Sequence, residues 1–118
     1  MIFDAGVFAA LEKPSSRGVV LALLEQHLAA GELPITTNAA IAQAWRDPSR
    51  QVALTRLART LDVYPFGDPQ VIGVRCAASG TSDVVDAGLA VLADQLDQTI
   101  VTTDPQDMEA LGARFVAL

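Results

Sequence analysis

The stretch Thr99-Ile100-Val101-Thr102-Thr103-Asp104-Pro105-Gln106-Asp107 decides the fold. Its first four residues form the short, β-branched apolar run of a buried strand. Asp104 then has the chemistry of a helix N-cap. Pro105 fits the first helical position, where a missing N–H costs nothing, and Asp107 falls three residues beyond the cap, near the positive end of the helix. A strand that hands over directly to a helix is half of a parallel βα unit.

The same handover recurs along the chain. Strands are expected at Met1–Phe3, Leu33–Thr36, Leu61–Tyr64 and Thr99–Thr102, with a last one, at an edge, over Arg114–Leu118. Short helices are expected at Val7–Leu11 and from Asp104 to about Leu111. A longer one, capped by Ser15 or Ser16, carries Val19, Val20, Leu23, Leu24 and Leu28 and stops at Gly31. Asn38 can cap a helix to Trp45-Arg46, Pro48 breaks it, and another runs from about Ser49 to Thr60. A helix from about Asp68 to Ala78 stops at Gly80, and Asp83 opens one that reaches Leu96. The pattern βααβααβααβαβ predicts an α/β fold: a mainly parallel sheet of about four to five strands between two helical layers.

At 118 residues the chain suffices for one domain, residues 1–118, and not for two ordinary ones. It is 51% hydrophobic, yet no run approaches the roughly 18 apolar residues of a membrane span. The N-terminus has neither a basic segment nor an apolar export signal, so a cytoplasmic protein with no membrane association is expected. Cys76 is the only cysteine and His27 the only histidine. Together they cannot make a zinc site; Cys76 reads as a small buried hydrophobe, and no ligand or catalytic role is expected of His27. The net charge of −6 argues against broad attraction to nucleic acid. A local basic patch exists nonetheless: Arg46, Arg50, Arg56 and Arg59 crowd one segment, either as a solvated helix face or as phosphate contacts.

The acids carry the functional signal. Asp4, Asp83, Asp86 and Asp104 all stand where the chain leaves, or has just left, an apolar run. Helix capping explains each one singly. In an open parallel sheet, however, the crevice outside the carboxyl ends of the strands is where ligands bind, and acids from distant segments converge there. Carboxylates about 4 Å apart repel by roughly 4 kcal/mol at an effective dielectric near 20. A dication turns that repulsion into attraction. All-oxygen donors suit Mg²⁺ or Mn²⁺, ions that polarise phosphates and activate water, so phosphodiester hydrolysis is the chemistry implied.

At these residues the chain resembles the PIN-domain nucleases, especially VapC-type toxins of prokaryotic toxin–antitoxin pairs, over nearly its whole length. Ile2-Phe3-Asp4-Ala5-Gly6-Val7 resembles the family's opening strand with its first acid. Thr81-Ser82-Asp83-Val84-Val85-Asp86-Ala87 resembles the segment with the third, and Val101-Thr102-Thr103-Asp104-Pro105-Gln106-Asp107 the segment with the fourth. The resemblance implies a PIN-like three-layer fold and an Mg²⁺- or Mn²⁺-dependent endoribonuclease. Asp4, Asp86 and Asp104 would be the catalytic metal ligands and Asp83 and Asp107 accessory acids; in such an enzyme the basic patch of Arg46, Arg50, Arg56 and Arg59 supplies the candidate RNA contacts. It also implies a homodimer, an RNA substrate and a VapB-like antitoxin.

One departure stands out. Ala42-Gln43-Ala44-Trp45-Arg46 resembles the helix that usually brings a Glu, and here Gln43 takes that place, a neutral amide that offers a metal only a carbonyl oxygen. Glu12 or Asp83 could substitute. The alternative reading is therefore a catalytically impaired protein of this fold that binds RNA or an antitoxin. A phospho-acceptor receiver domain would need a lysine near the last strands, but the only lysine is Lys13. A dinucleotide-binding domain would need G-x-G-x-x-G after the first strand, which is absent.

Overall fold

The computed structural model describes all residues, 1–118. The elements in chain order are β1 (Ile2–Phe3), α1 (Ala5–Leu11), α2 (Pro14–Ala29), β2 (Ile35–Thr37), α3 (Asn38–Ala44), α4 (Val52–Ala58), β3 (Asp62–Tyr64), α5 (Pro69–Ser79), α6 (Val84–Leu96), β4 (Ile100–Thr102), α7 (Pro105–Ala110) and β5 (Phe115–Ala117). This is the expected βααβααβααβαβ order. The five strands form one sheet, ordered β3-β2-β1-β4-β5, and every neighbouring pair is parallel.

That order places the functional crevice. From β1 the chain steps to β2 and then β3 in one direction, crosses back to β4, and continues to β5 in the other. With right-handed crossovers, α1 to α4 lie on one face of the sheet and α5 to α7 on the other. The direction of winding switches between β1 and β4, where the two strands' loops part to opposite faces and leave a crevice. Asp4 follows β1 and Asp104 follows β4 closely, so both carboxylates emerge at this switch.

The central strands are sealed on both faces. Ile2, Phe3, Ile100 and Val101 are buried, packed with Val7, Phe8 and Leu11 of α1 and with Leu89, Leu92 and Met108 of α6 and α7. Val7, Phe8 and Leu11 are thus core, while Leu28 of α2 is exposed. Cys76 and His27 are core too. The Cys76 thiol donates to the Thr81 carbonyl at 2.9 Å, and the His27 ring meets Phe3 edge-on at a centroid distance of 5.9 Å. No single helix is long and apolar enough to cross a membrane.

Three local expectations are corrected. Helix α2 starts at Pro14, which fills the first helical position after Lys13, and the Ser16 hydroxyl donates to the Ala10 carbonyl instead of capping. Thr37, not Asn38, caps α3 by accepting the Ala40 amide at 3.2 Å. Helix α4 begins at Val52 rather than near Ser49. Before it, Asp47 accepts the Ser49 amide in a turn, and the Gln51 side chain folds back to accept the amides of Arg46 and Asp47. Polar side chains there satisfy backbone groups more cheaply than an extra helical turn would.

Candidate metal centre

Asp4 closes β1 and caps α1. Its Oδ1 accepts the Val7 amide at 3.0 Å and its Oδ2 accepts the Thr102 hydroxyl at 2.5 Å. Thr102 is fully buried at the end of β4, and its oxygen in turn accepts the Asp104 amide at 2.8 Å. A hydroxyl that donates to one acid while accepting from the backbone of another fixes the two strand ends to each other. The sequence offered Thr102 only as strand residue. Its signal was the threonine pair immediately before Asp104.

On the opposite face, Asp83 caps α6, its Oδ1 accepting the amides of Val85 at 3.0 Å and Asp86 at 3.1 Å. Asp86 then lies in the first turn and is buried, at 7% exposure, because that turn packs under the switch. Asp104 caps α7 by accepting the Asp107 amide at 3.3 Å, which brings Asp107 into the same turn. Packing of α6 against α7 draws the sets together: one carboxylate oxygen each from Asp83, Asp86 and Asp107 lie within 4.8 Å of one another. The tightest trio is therefore Asp86 with the two acids read as accessory. Asp4 is close enough to act on Asp86 through its charge, and Asp104 stands beside Asp107.

The electrostatics record that crowding. Burial first, then the charges of Asp83 and Asp4, push the Asp86 carboxyl up to about 7 from an ordinary 3.8. Burial also raises Asp4, against the opposing effect of its hydrogen bonds to Thr102 and the backbone. Asp107 is raised by desolvation and by its neighbours Asp104 and Asp83. No basic side chain offsets these charges, since the three ion pairs of the chain, Arg50–Asp47, Arg75–Asp94 and Arg114–Asp97, all lie elsewhere. Clustered, uncompensated carboxylates with all-oxygen chemistry fit a hard dication such as Mg²⁺ or Mn²⁺.

The remaining expected residues lie apart from this cluster. Gln43 is exposed in the last turn of α3, whose first turn, next to the strand end, carries Ala39 and buried Ala40. Glu12 ends α1, and its Oε1 accepts the Leu54 amide at 3.2 Å, which commits it to the start of α4. Of the two substitutes for the missing acid, only Asp83 stands with Asp86. The Arg46 guanidinium donates to the carbonyls of Ala42 and Trp45, and Arg59 is exposed. Arg50 and Arg56 join Arg17 around a cleft of about 550 Å³, floored by Leu11, Leu24 and Leu57. The cleft sits at the far end of α1, about 10 Å of helix away from Asp4. Arg17 was not anticipated from the sequence.

No family model matches the chain, and no curated protein matches it. Solved structures do. FitAB bound to the IR36 DNA fragment superposes with a TM-score of 0.71 at 15% identity, covering 98% of this chain and 93% of that one. FitAcB from Neisseria gonorrhoeae gives 0.69 at 16% identity, covering 97% and 94%. PAE2754 from Pyrobaculum aerophilum gives 0.71 at 15% identity, covering 97% and 81%. Identity this low, joined to coverage this complete, is evidence about architecture, and the chain has the PIN-like α/β fold that these structures share.

Proposed function

We propose that the chain is a divalent-metal-dependent endoribonuclease of the VapC kind, acting as a single unit over residues 1–118. The observation that carries this reading is the meeting of Asp83, Asp86 and Asp107 within 4.8 Å, beside Asp4, at the switch of a parallel sheet. Asp86 holds the Mg²⁺ or Mn²⁺ with Asp4 and Asp104 from the strand ends, and Asp83 and Asp107 complete the set. The bound ion supplies a polarised phosphate and a water of lowered pKa. The protein's own residues orient these groups: Thr102 holds Asp4 in one rotamer, and the Asp83 and Asp104 caps lock the first turns of α6 and α7.

Asp83 supplies the carboxylate that Gln43 lacks, so the impaired-module alternative is the weaker reading. Arg46 and Arg59 remain the RNA contacts. Arg50 and Arg56 serve instead, with Arg17, a groove whose leucine floor suits the apolar side of an acidic segment from a small VapB-like antitoxin. A homodimer and a cytoplasmic location complete the proposal, because the substrate is intracellular RNA.

The test is cleavage of a fluorescently quenched single-stranded RNA by pure protein in Mg²⁺ or Mn²⁺. Asp86→Asn and Asp4→Asn should each reduce cleavage by at least about a hundredfold, as expected for lost metal ligation, while circular dichroism stays unchanged. Undiminished cleavage by either folded variant overturns the metal assignment.

A further inference from the structure

A second cleft, of about 350 Å³, opens beside the acids and has no part in the chemistry above. Gly6, Ala9, Lys13, Ser15, Ser16 and Thr103 contribute to its walls, and no carboxylate side chain does. Its inner end is fixed by packing. A side chain at Gly6 would meet the Thr103 hydroxyl, whose oxygen stands 1.7 Å from the ideal Cβ position, and that same position is 3.2 Å from Asp4 Oδ1. Glycine here lets the first turn of α1 lie close against Thr103, so the inner end of the cleft is built by Gly6 and Thr103, near neighbours in the chain of Asp4 and Asp104. Its wall includes Lys13, the one lysine, exposed and outside every ion pair of the chain.

We infer that this cleft seats the RNA backbone running away from the cut bond, with Lys13, at the outer end, contacting a phosphate farther along the strand. The inference rests on the ribonuclease reading. Five carboxylates repel a polyanion, so the strand can leave the metal centre only along a wall without acids and with a cation to receive it. Of the molecule's four clefts, only this one has a cation and no Asp or Glu in its lining. Gly6 and Ala9 bring only small side chains to its wall, and Ser15 and Thr103 bring hydroxyls, the chemistry that phosphate and sugar oxygens accept from. The arginine-rimmed groove is cationic too, but its lining includes the Glu12 carboxylate and reaches neither Gly6 nor Thr103, the residues that bring this cleft to the strand ends.

The experiment uses a fluorescein-labelled 2′-O-methyl RNA ten-mer, verified by gel to stay intact over the titration, and reads its anisotropy against salt in Mg²⁺. Lys13→Gln should weaken binding several-fold at low salt and flatten the slope of log Kd on log salt by about 0.7, the loss of one phosphate contact, while Lys13→Arg restores the slope. A single neutral methylphosphonate, moved along the oligomer, should weaken wild-type binding at one position and leave Lys13→Gln unaffected there. A wild type that binds the oligomer with the same salt slope as Lys13→Gln overturns the subsite and leaves the ribonuclease reading standing. A wild type that neither binds nor cleaves RNA overturns both.

Discussion

Thr102 and Asp4, ninety-eight positions apart, share a buried hydrogen bond of 2.5 Å that joins the ends of β4 and β1 at the winding switch. Thr102→Val keeps the shape and removes the donor. Asp4 Oδ2 and the Asp104 amide each then lose a partner, a loss of about 1 to 3 kcal/mol in urea unfolding. Cleavage should fall with it, and Thr102→Ser should restore both. A valine variant as stable and active as wild type contradicts this role.

The protonation of Asp86 predicts how stability depends on pH. With its carboxyl near 7 in the folded chain against an ordinary 3.8, the native state holds a proton that the unfolded state has lost between about pH 4 and pH 7. Stability of the metal-free protein therefore falls as pH rises through that window, and the raised Asp4 and Asp107 act in the same sense. Chelator-treated protein should melt lower at pH 8 than at pH 5. Asp86→Asn should flatten the difference and melt higher than wild type at pH 8.

Metal binding must displace that proton. Below pH 7 the apparent Mg²⁺ affinity should drop by about tenfold per pH unit, read by titration calorimetry, and Mg²⁺ should raise the melting temperature more at pH 8 than at pH 6. An affinity independent of pH would place the ion away from Asp86.

Gln43 sits exposed, about 7.5 Å along the helix from the start of α3. Gln43→Glu should therefore change Mg²⁺-dependent cleavage by less than about threefold. A gain of tenfold or more would show that the wild-type centre lacks an acid which Asp83 does not replace.

The order of elements was legible because each strand is an apolar run handed to a capped or proline-started helix, as at Asp104-Pro105 and Asp68-Pro69. Boundaries failed where side chains compete for backbone groups. Pro14 outranks Ser15 and Ser16 because it presets the first helical turn, and Gln51 shortens α4 by taking the amides of Arg46 and Asp47. The acids were legible as strand-end residues, but their grouping was not. Asp83 meets Asp107 only because α6 packs on α7, a contact between segments that local pattern does not encode. The same holds for Glu12, whose capping of Leu54 across forty-two positions removes it from the centre.

The proposed ribonuclease requires a dication in the acid cluster. Anomalous diffraction from crystals soaked in Mn²⁺ measures this directly. The predicted result is a manganese peak bonded to Asp86 and to at least one oxygen of Asp4, Asp83, Asp104 or Asp107, and missing in Asp86→Asn crystals. Wild-type crystals soaked at millimolar Mn²⁺ with no peak at these residues would contradict it.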